Sequence, residues 1–190
     1  MAISYEDLFV DGKPNLLPIQ DTDEYLDAML RLVVFKPYLK QEGQLWWKQQ
    51  LEVLESQSLT QAQQTSQAVI ESVILYQDLQ SGNKPKEEFK QVVEKLTAAL
   101  EAAKQNGWET PILNIVAQDY LGLAHRVTSF ESGIDTDEKN GRLEKSIEAL
   151  KQCCTLAQGH DDTHLKLWLG FAKFNSPQVN PQLCWGTSNV

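Results

Sequence analysis

Apolar residues recur every three or four positions through most of the chain, which is the spacing of one face of an α-helix. The clearest of about seven such stripes comprises Phe89, Val92, Val93, Leu96, Leu100 and Ala103. No segment of useful length alternates apolar and polar residues with the period of a half-buried strand. The pattern predicts an all-α protein of about seven helices, either an antiparallel helical bundle or a short stack of helical hairpins.

Capping residues, glycines and prolines indicate where the helices begin and end. Two pairs have the spacing of an N-cap and its N3 partner: Asp21 with Glu24, and Thr60 with Gln63. Thr110-Pro111 places a capping side chain before a proline of the first helical turn, and Asn106-Gly107 indicates a C-terminal stop. Pro37 should end or kink the first helix. The sixth helix should begin near Thr136, or after Gly141 if that glycine breaks its first turn.

The same pattern divides the chain into three parts. Residues 1–20 lack a helical period and are expected to form an extended N-terminal arm, which could include a small β element. Residues 21–174 should form a single all-helical domain, and residues 175–190 an irregular C-terminal tail. With 190 residues, 42% of them apolar, the chain is long enough to bury an ordinary core.

A repeat of helical hairpins is one interpretation of the stripes. A shift of 54 residues places Phe89, Val93, Leu96, Leu100 and Ala103 on Leu143, Ile147, Leu150, Cys154 and Ala157. The same shift places Leu59, Ala62, Val69, Ile70 and Val73 on Leu113, Val116, Leu123, Ala124 and Val127. Copies of an amphipathic hairpin stack because none can bury its apolar face alone. Any two amphipathic helices share such offsets, however, so a plain bundle remains the alternative.

Part of this repeat resembles a known family. The stretches Asp119-Tyr120-Leu121-Gly122-Leu123-Ala124 and Glu144-Lys145-Ser146-Ile147-Glu148-Ala149-Leu150 resemble the two helices of tetratricopeptide repeats. The resemblance covers residues 112–157 and departs from the family, whose period is about 34 residues. It implies an α-solenoid-like surface that binds other proteins.

Charge and cysteine content narrow the environment and the partners. The chain has 17 Lys and Arg against 26 Asp and Glu, a formal net charge of −9, which argues against direct contact with nucleic acid. An acidic solenoid would instead suit a basic protein surface or peptide. Three cysteines do not form a disulfide framework, and neither a secretory leader nor a membrane-spanning stretch is visible. We therefore expect a cytoplasmic protein with no membrane contact.

Few residues suggest chemistry. His160 and His164 have the spacing at which two imidazoles on one helical face hold a metal, but Asp161 replaces the glutamate of metalloproteases and Gly159 favours a loop. Cys154 is predicted to be a small buried side chain, and Cys153 to be exposed and oxidisable. His125 is expected to be a cation stabilised by the end of its helix.

Three aromatic residues are the candidates for partner binding. Trp46 should lie at the edge of the face on which Trp47 enters the core, Trp185 should anchor the tail, and Tyr120 lies within the tetratricopeptide-like stretch. We therefore predict a non-enzymatic helical interaction protein with no catalytic residues and no cofactor. It would be an adaptor, an assembly factor or a small subunit of a larger protein complex, in an oligomeric state left open. The alternatives are a helical subunit of a nucleoprotein complex and, less favoured, a metal-dependent hydrolase using His160 and His164.

Overall fold

The computed structural model describes residues 9–10, 13–14, 21–38, 41–82 and 84–158. Within them the chain forms six α-helices: α1 Thr22–Leu32, α2 Gln41–Glu55, α3 Gln61–Ser81, α4 Lys90–Asn106, α5 Pro111–Thr128 and α6 Thr136–Gln158. Short 3-10 helices, Val33–Tyr38 and Lys86–Phe89, follow α1 and precede α4. The all-α prediction is therefore confirmed. The predicted seventh helix and the tail lie outside the described residues.

The described part of the N-terminal arm contains a minimal β ladder. Strand β1, Phe9–Val10, pairs antiparallel with strand β2, Lys13–Pro14, so that Phe9 faces Pro14 and Val10 faces Lys13. The rest of the predicted arm is outside the described residues. The described part of the arm therefore consists of one pair of two-residue strands.

The predicted helix ends are present as hydrogen-bonded caps. The Asp21 carboxylate accepts from the backbone N–H groups of Asp23 and Glu24, at 2.8 and 3.4 Å. Thr60 and Gln63 form a reciprocal capping box. Thr110 accepts from a backbone N–H of the first turn of α5, at 3.3 Å, and Pro111 opens that helix. These side chains satisfy donors that a helix end would otherwise leave without partners.

One glycine and one proline lie at helix ends, as their chemistry predicts, and a second glycine lies within a helix. Gly107 ends α4 in the left-handed conformation, with φ of 70°. Pro37 lies in the 3-10 segment that follows α1, so α1 ends before it. Helix α6 begins at Thr136 and runs through Gly141, which confirms the earlier of the two predicted starts.

Side-chain contacts fix the relative directions of the helices. Gln63 donates to Asp23 at 2.9 Å near the starts of α3 and α1, and Gln77 donates to the Val33 carbonyl at 2.8 Å near their ends. Helices α1 and α3 therefore run in the same direction. Gln77 also donates to the Tyr120 hydroxyl at 2.8 Å, which joins α3 to α5.

Helix α6 runs antiparallel to α5. Arg142 donates to the Thr128 carbonyl at 2.7 Å near the end of α5, and Ser146 donates to the Gly122 carbonyl at 2.7 Å one turn further along α6. The Cβ of any residue other than glycine at 122 would lie 2.7 Å from a Leu150 carbon. This glycine therefore allows α5 and α6 to approach closely.

The core lies where α1, α3 and α5 contact one another, with α4 packed against both α3 and α5 and α6 packed on α5. Its largest fully buried side chains are Trp47, Phe89, Met29, Leu30, Leu32, Leu54, Ile70, Leu96, Leu113 and Ile115. This arrangement brings the C-terminal turns of α3 and α5 to the same end of the molecule, beside the second 3-10 helix.

Candidate functional site

A groove of about 520 Å³ opens where the last turns of α3 and α5 meet the 3-10 helix Lys86–Phe89. We call it the cationic groove. Its described lining consists of Tyr76, Leu79, Gln80, Lys84, Lys86, Phe89, Leu123, Arg126, Val127 and Phe130. Apolar side chains and three cations thus share one concave surface, at the volume of a small-ligand site or a docking groove for a few side chains.

Packed aromatic rings support the apolar floor of the cationic groove. The Tyr76 ring packs edge-to-face against Phe89 and against Tyr120, with centroids 5.3 Å apart in both pairs. Phe89 and Tyr120 are buried in the core. The floor is therefore held by the core itself, and it is largely formed before a ligand arrives.

Phe130 forms the exposed rim of the cationic groove. It is one of two large apolar side chains that stand out from the described surface, with 45% of its area exposed. Lys86 donates to the Phe130 carbonyl at 2.9 Å, and its Nζ lies 5.5 Å from the ring centroid. Lys139 places its Nζ 5.3 Å from the same centroid. These cation–π contacts hold an apolar surface and positive charge side by side.

Two of the carboxylates close to the cationic groove in sequence are bound to cations outside it. Glu131 accepts from Lys90 at 2.8 Å and from Arg142 at 2.6 Å, and these hydrogen bonds hold the pKa of Glu131 below its usual range. Asp78 pairs with the buried Lys36 at 2.5 Å. Two more carboxylates, Glu87 and Glu88, follow Lys86 on the 3-10 helix. No carboxylate stands among the described lining residues themselves, which include three cations.

Two further grooves have residues of both charge signs in their lining. One, of about 460 Å³ between α4, α5 and α6, is lined by Glu101, Glu109, Glu148, Lys104 and Lys151 among neutral residues. The other, of about 550 Å³ between α3 and α4, has Glu71 opposite Lys95 and is otherwise neutral. The cationic groove therefore differs from both in the sign of its charge.

Asp119 is a buried acid behind the groove floor. It is 3% exposed, its Oδ1 has no hydrogen-bond partner, and burial raises its pKa to about 7. Its charge raises the pKa of the neighbouring Tyr76 hydroxyl and Cys153 thiol, both already raised by burial. Asp119 could not be singled out from the sequence, because a lone aspartate on an apolar face has no recognisable partner pattern.

The cysteine prediction is wrong. Cys153 is fully buried and Cys154 is half-buried, the reverse of what was expected. The reason is the close contact at Gly122, which turns the small side chains of α6, Ser146 and Ala149 among them, towards α5. Cys153 lies on that line, and burial raises the pKa of its thiol, so it is not a reactive thiolate.

The expected charge of His125 is also wrong. Burial, together with Lys145 and Arg142, lowers its pKa to about 4, so the imidazole is neutral at pH 7. The helix end favours a cation by only tenths of a kcal/mol, which desolvation exceeds.

Two of the three predicted partner-binding residues lie within the described part of the chain. Trp46 is half-buried and packs edge-to-face on the buried Trp47, with centroids 5.2 Å apart. Tyr120 is 5% exposed and belongs to the core beneath the cationic groove. Trp185 lies outside the described residues.

The predicted metal candidates are not placed either, since His160 and His164 lie outside the described residues. Among the residues that are described, no three His, Cys, Asp or Glu side chains come together as metal ligands.

Comparison with models of known protein families, with curated proteins and with solved structures gave no match. Across the described ranges, none of the helices combines the length and apolar character needed to cross a membrane.

Proposed function

We propose that the protein is a non-enzymatic helical interaction protein, acting as an adaptor, an assembly factor or a small subunit of a protein complex, and that the cationic groove is its docking surface. The observation that carries the proposal is the exposed Phe130 at the rim of this groove. Protein interfaces are enriched in aromatic residues and arginine relative to the rest of the surface, and the groove has Phe130 and Arg126 in its lining.

The packing of the groove supports a docking role over a structural one. Its floor belongs to the core, whereas Phe130 is held by Lys86 and Lys139 and has 45% of its area exposed. The ring stands on the rim of an apolar floor and so extends the apolar surface that a partner could cover. The resemblance of α5 and α6 to a tetratricopeptide hairpin is a further argument for an interaction surface. The last turn of α5 lines the groove.

Two residues of nearly equal exposure provide the test. Phe130 is 45% exposed and Val53, on α2, is 46% exposed. The full chain, purified from its native cells with whatever stoichiometric partner it retains, is compared as wild type, Phe130→Ala and Val53→Ala. We expect Phe130→Ala to lose the partner on size-exclusion chromatography, and Val53→Ala to retain it.

Circular dichroism of the two variants checks that both remain folded. Retention of the partner by a folded Phe130→Ala protein, or its loss from Val53→Ala alone, would overturn the assignment of the docking surface to this groove.

A further inference from the structure

We propose that the cationic groove binds a short acidic peptide segment of a partner protein. In this complex the acidic side chains meet Lys84, Lys86 and Arg126, and one aromatic or aliphatic side chain enters the apolar floor. The inference rests on the proposed function and names the chemistry of the partner. It differs from the basic partner that the net charge alone suggested.

The positive charge that would attract an acidic peptide is local to the groove. The whole chain carries a formal charge of −9, yet the described lining of this groove has three cations and no carboxylate. Lys84 is exposed on the segment between α3 and the 3-10 helix, where its side chain can follow a ligand. A peptide carrying carboxylates is complementary to this surface.

The apolar floor of the groove indicates that the peptide also carries an apolar side chain. Leu79, Leu123 and Val127 supply aliphatic surface below the lysines, and Tyr76 with Phe89 adds aromatic surface. A groove of about 520 Å³ takes up one large side chain and its neighbours rather than a folded domain. An apolar side chain gains affinity from burial there, while the carboxylates set the direction and register of the peptide.

A nucleic acid fits this surface less well than a peptide. Its backbone would bring a long row of phosphates past three cations and then along a chain whose net charge is negative. A short acidic peptide has its charges confined to the groove and offers an aliphatic or aromatic side chain for the floor.

The test is fluorescence anisotropy with the full-length protein and a labelled synthetic peptide in which Glu and Asp flank a single central Trp. Three probes of matched length are compared with it: the same peptide with Gln and Asn for the acids, the same with Gly for Trp, and a single-stranded oligothymidylate. We expect the acidic Trp peptide to bind best, and to bind more weakly as salt concentration rises.

Paired charge reversals locate the site. Lys84→Glu with Lys86→Glu should weaken binding of the acidic Trp peptide by about tenfold or more. Lys104→Glu with Lys151→Glu changes the net charge equally in the groove between α4 and α6, and should leave binding nearly unchanged. Lys84→Glu alone provides a second variant, because it does not remove the contact from Lys86 to the Phe130 carbonyl.

Several results would overturn the inference. The inference fails if the two double variants weaken binding equally, or if the uncharged peptide binds as well as the acidic one. It also fails if the oligothymidylate binds more tightly than the acidic Trp peptide. Absence of binding would overturn it too, and would be the result if another part of this chain occupied the groove. The two proposals fail separately. If the peptide does not bind but Phe130→Ala still loses the native partner, the acidic chemistry is wrong and the docking surface stands.

Discussion

At the residue scale, the buried Asp119 carboxyl makes the stability of the protein depend on pH. Its pKa is raised to about 7 in the folded protein, against an ordinary value of 3.8. The folded state therefore prefers the protonated form. The stability that this preference provides is complete below about pH 4 and is lost as pH rises through 7.

We expect the stability of Asp119→Asn relative to wild type to increase by on the order of 2–3 kcal/mol between pH 5 and pH 8. The amide cannot ionise, so it avoids the burial of a charge. Urea unfolding of both proteins across this pH range measures the difference. The two proteins are compared at each pH, because the lowered pKa of His125 affects both of them. That shift removes stability as pH falls below 6.5, which is the opposite direction to the effect of Asp119.

The exposed Glu94 provides the control for this experiment. Glu94→Gln should follow wild type at every pH. A constant offset between Asp119→Asn and wild type from pH 5 to pH 8 would mean that the Asp119 carboxyl is ionised throughout, and the account of its burial would be incorrect.

Residues with capping chemistry could be predicted from the sequence, and residues with tertiary roles could not. Thr60 signals its role through Gln63, three positions along the chain, and Thr110 through the proline that follows it, so local sequence is enough. Asp119 and Cys153 depend on which side of their helix meets another helix. Helix packing decides which side is buried, and the apolar period of the sequence does not locate that side to within one residue.

At the element scale, the close contact of α5 with α6 depends on one glycine. A Cβ at Gly122 would lie 2.7 Å from Leu150 and 3.1 Å from the Ser146 carbonyl oxygen, which is backbone and cannot move aside cheaply. We expect Gly122→Ala to lower the free energy of unfolding by about 1–3 kcal/mol. Thermal or urea unfolding measures it.

Gly141 makes the matched control, since it lies inside α6 and a Cβ there would meet no atom within 4 Å. Gly141→Ala should therefore stabilise the protein by about 0.5–1 kcal/mol through the higher helix propensity of alanine. If the two substitutions change stability in the same direction by similar amounts, helix propensity rather than close packing governs position 122.

Burial along α4 and α6 bears on the repeat interpretation. At the offset of the predicted repeat, Val92, Leu96, Ala99 and Ala103 of α4 correspond to Ser146, Leu150, Cys153 and Ala157 of α6, and all eight are buried. Helix α4 also packs between α3 and α5, as a stacked hairpin would. However, α1 contacts both α3 and α5, which a strictly linear stack does not allow. The repeat therefore stays a prediction.

At the scale of the whole molecule, the helical class, six described helices and most of their ends followed from the sequence. The groove did not, because its lining comes from the end of α3, a 3-10 helix and the end of α5, which only the tertiary fold brings together. Phe130 was not among the predicted partner-binding residues. A single aromatic after a helix end has no distinguishing pattern until the cations around it are placed.

Net charge was the least informative whole-molecule quantity. A value of −9 suggested a basic partner, whereas the described lining of the groove beside Phe130 has three cations and no carboxylate. Glu131 and Asp78 are bound within ion pairs, whose opposite charges offset each other. Charge therefore has to be counted groove by groove before it indicates a partner.

The most direct measurement is amide hydrogen exchange of the full chain, alone and bound to the partner with which it co-purifies. We predict slower exchange in the complex at residues 76–80, 84–89 and 123–130, which line the cationic groove. Residues 100–104 and 148–156, around the groove between α4, α5 and α6, should exchange at the same rate in the complex as in the free protein. Protection confined to that second set, with none in the first, would contradict the assignment of the cationic groove as the docking surface.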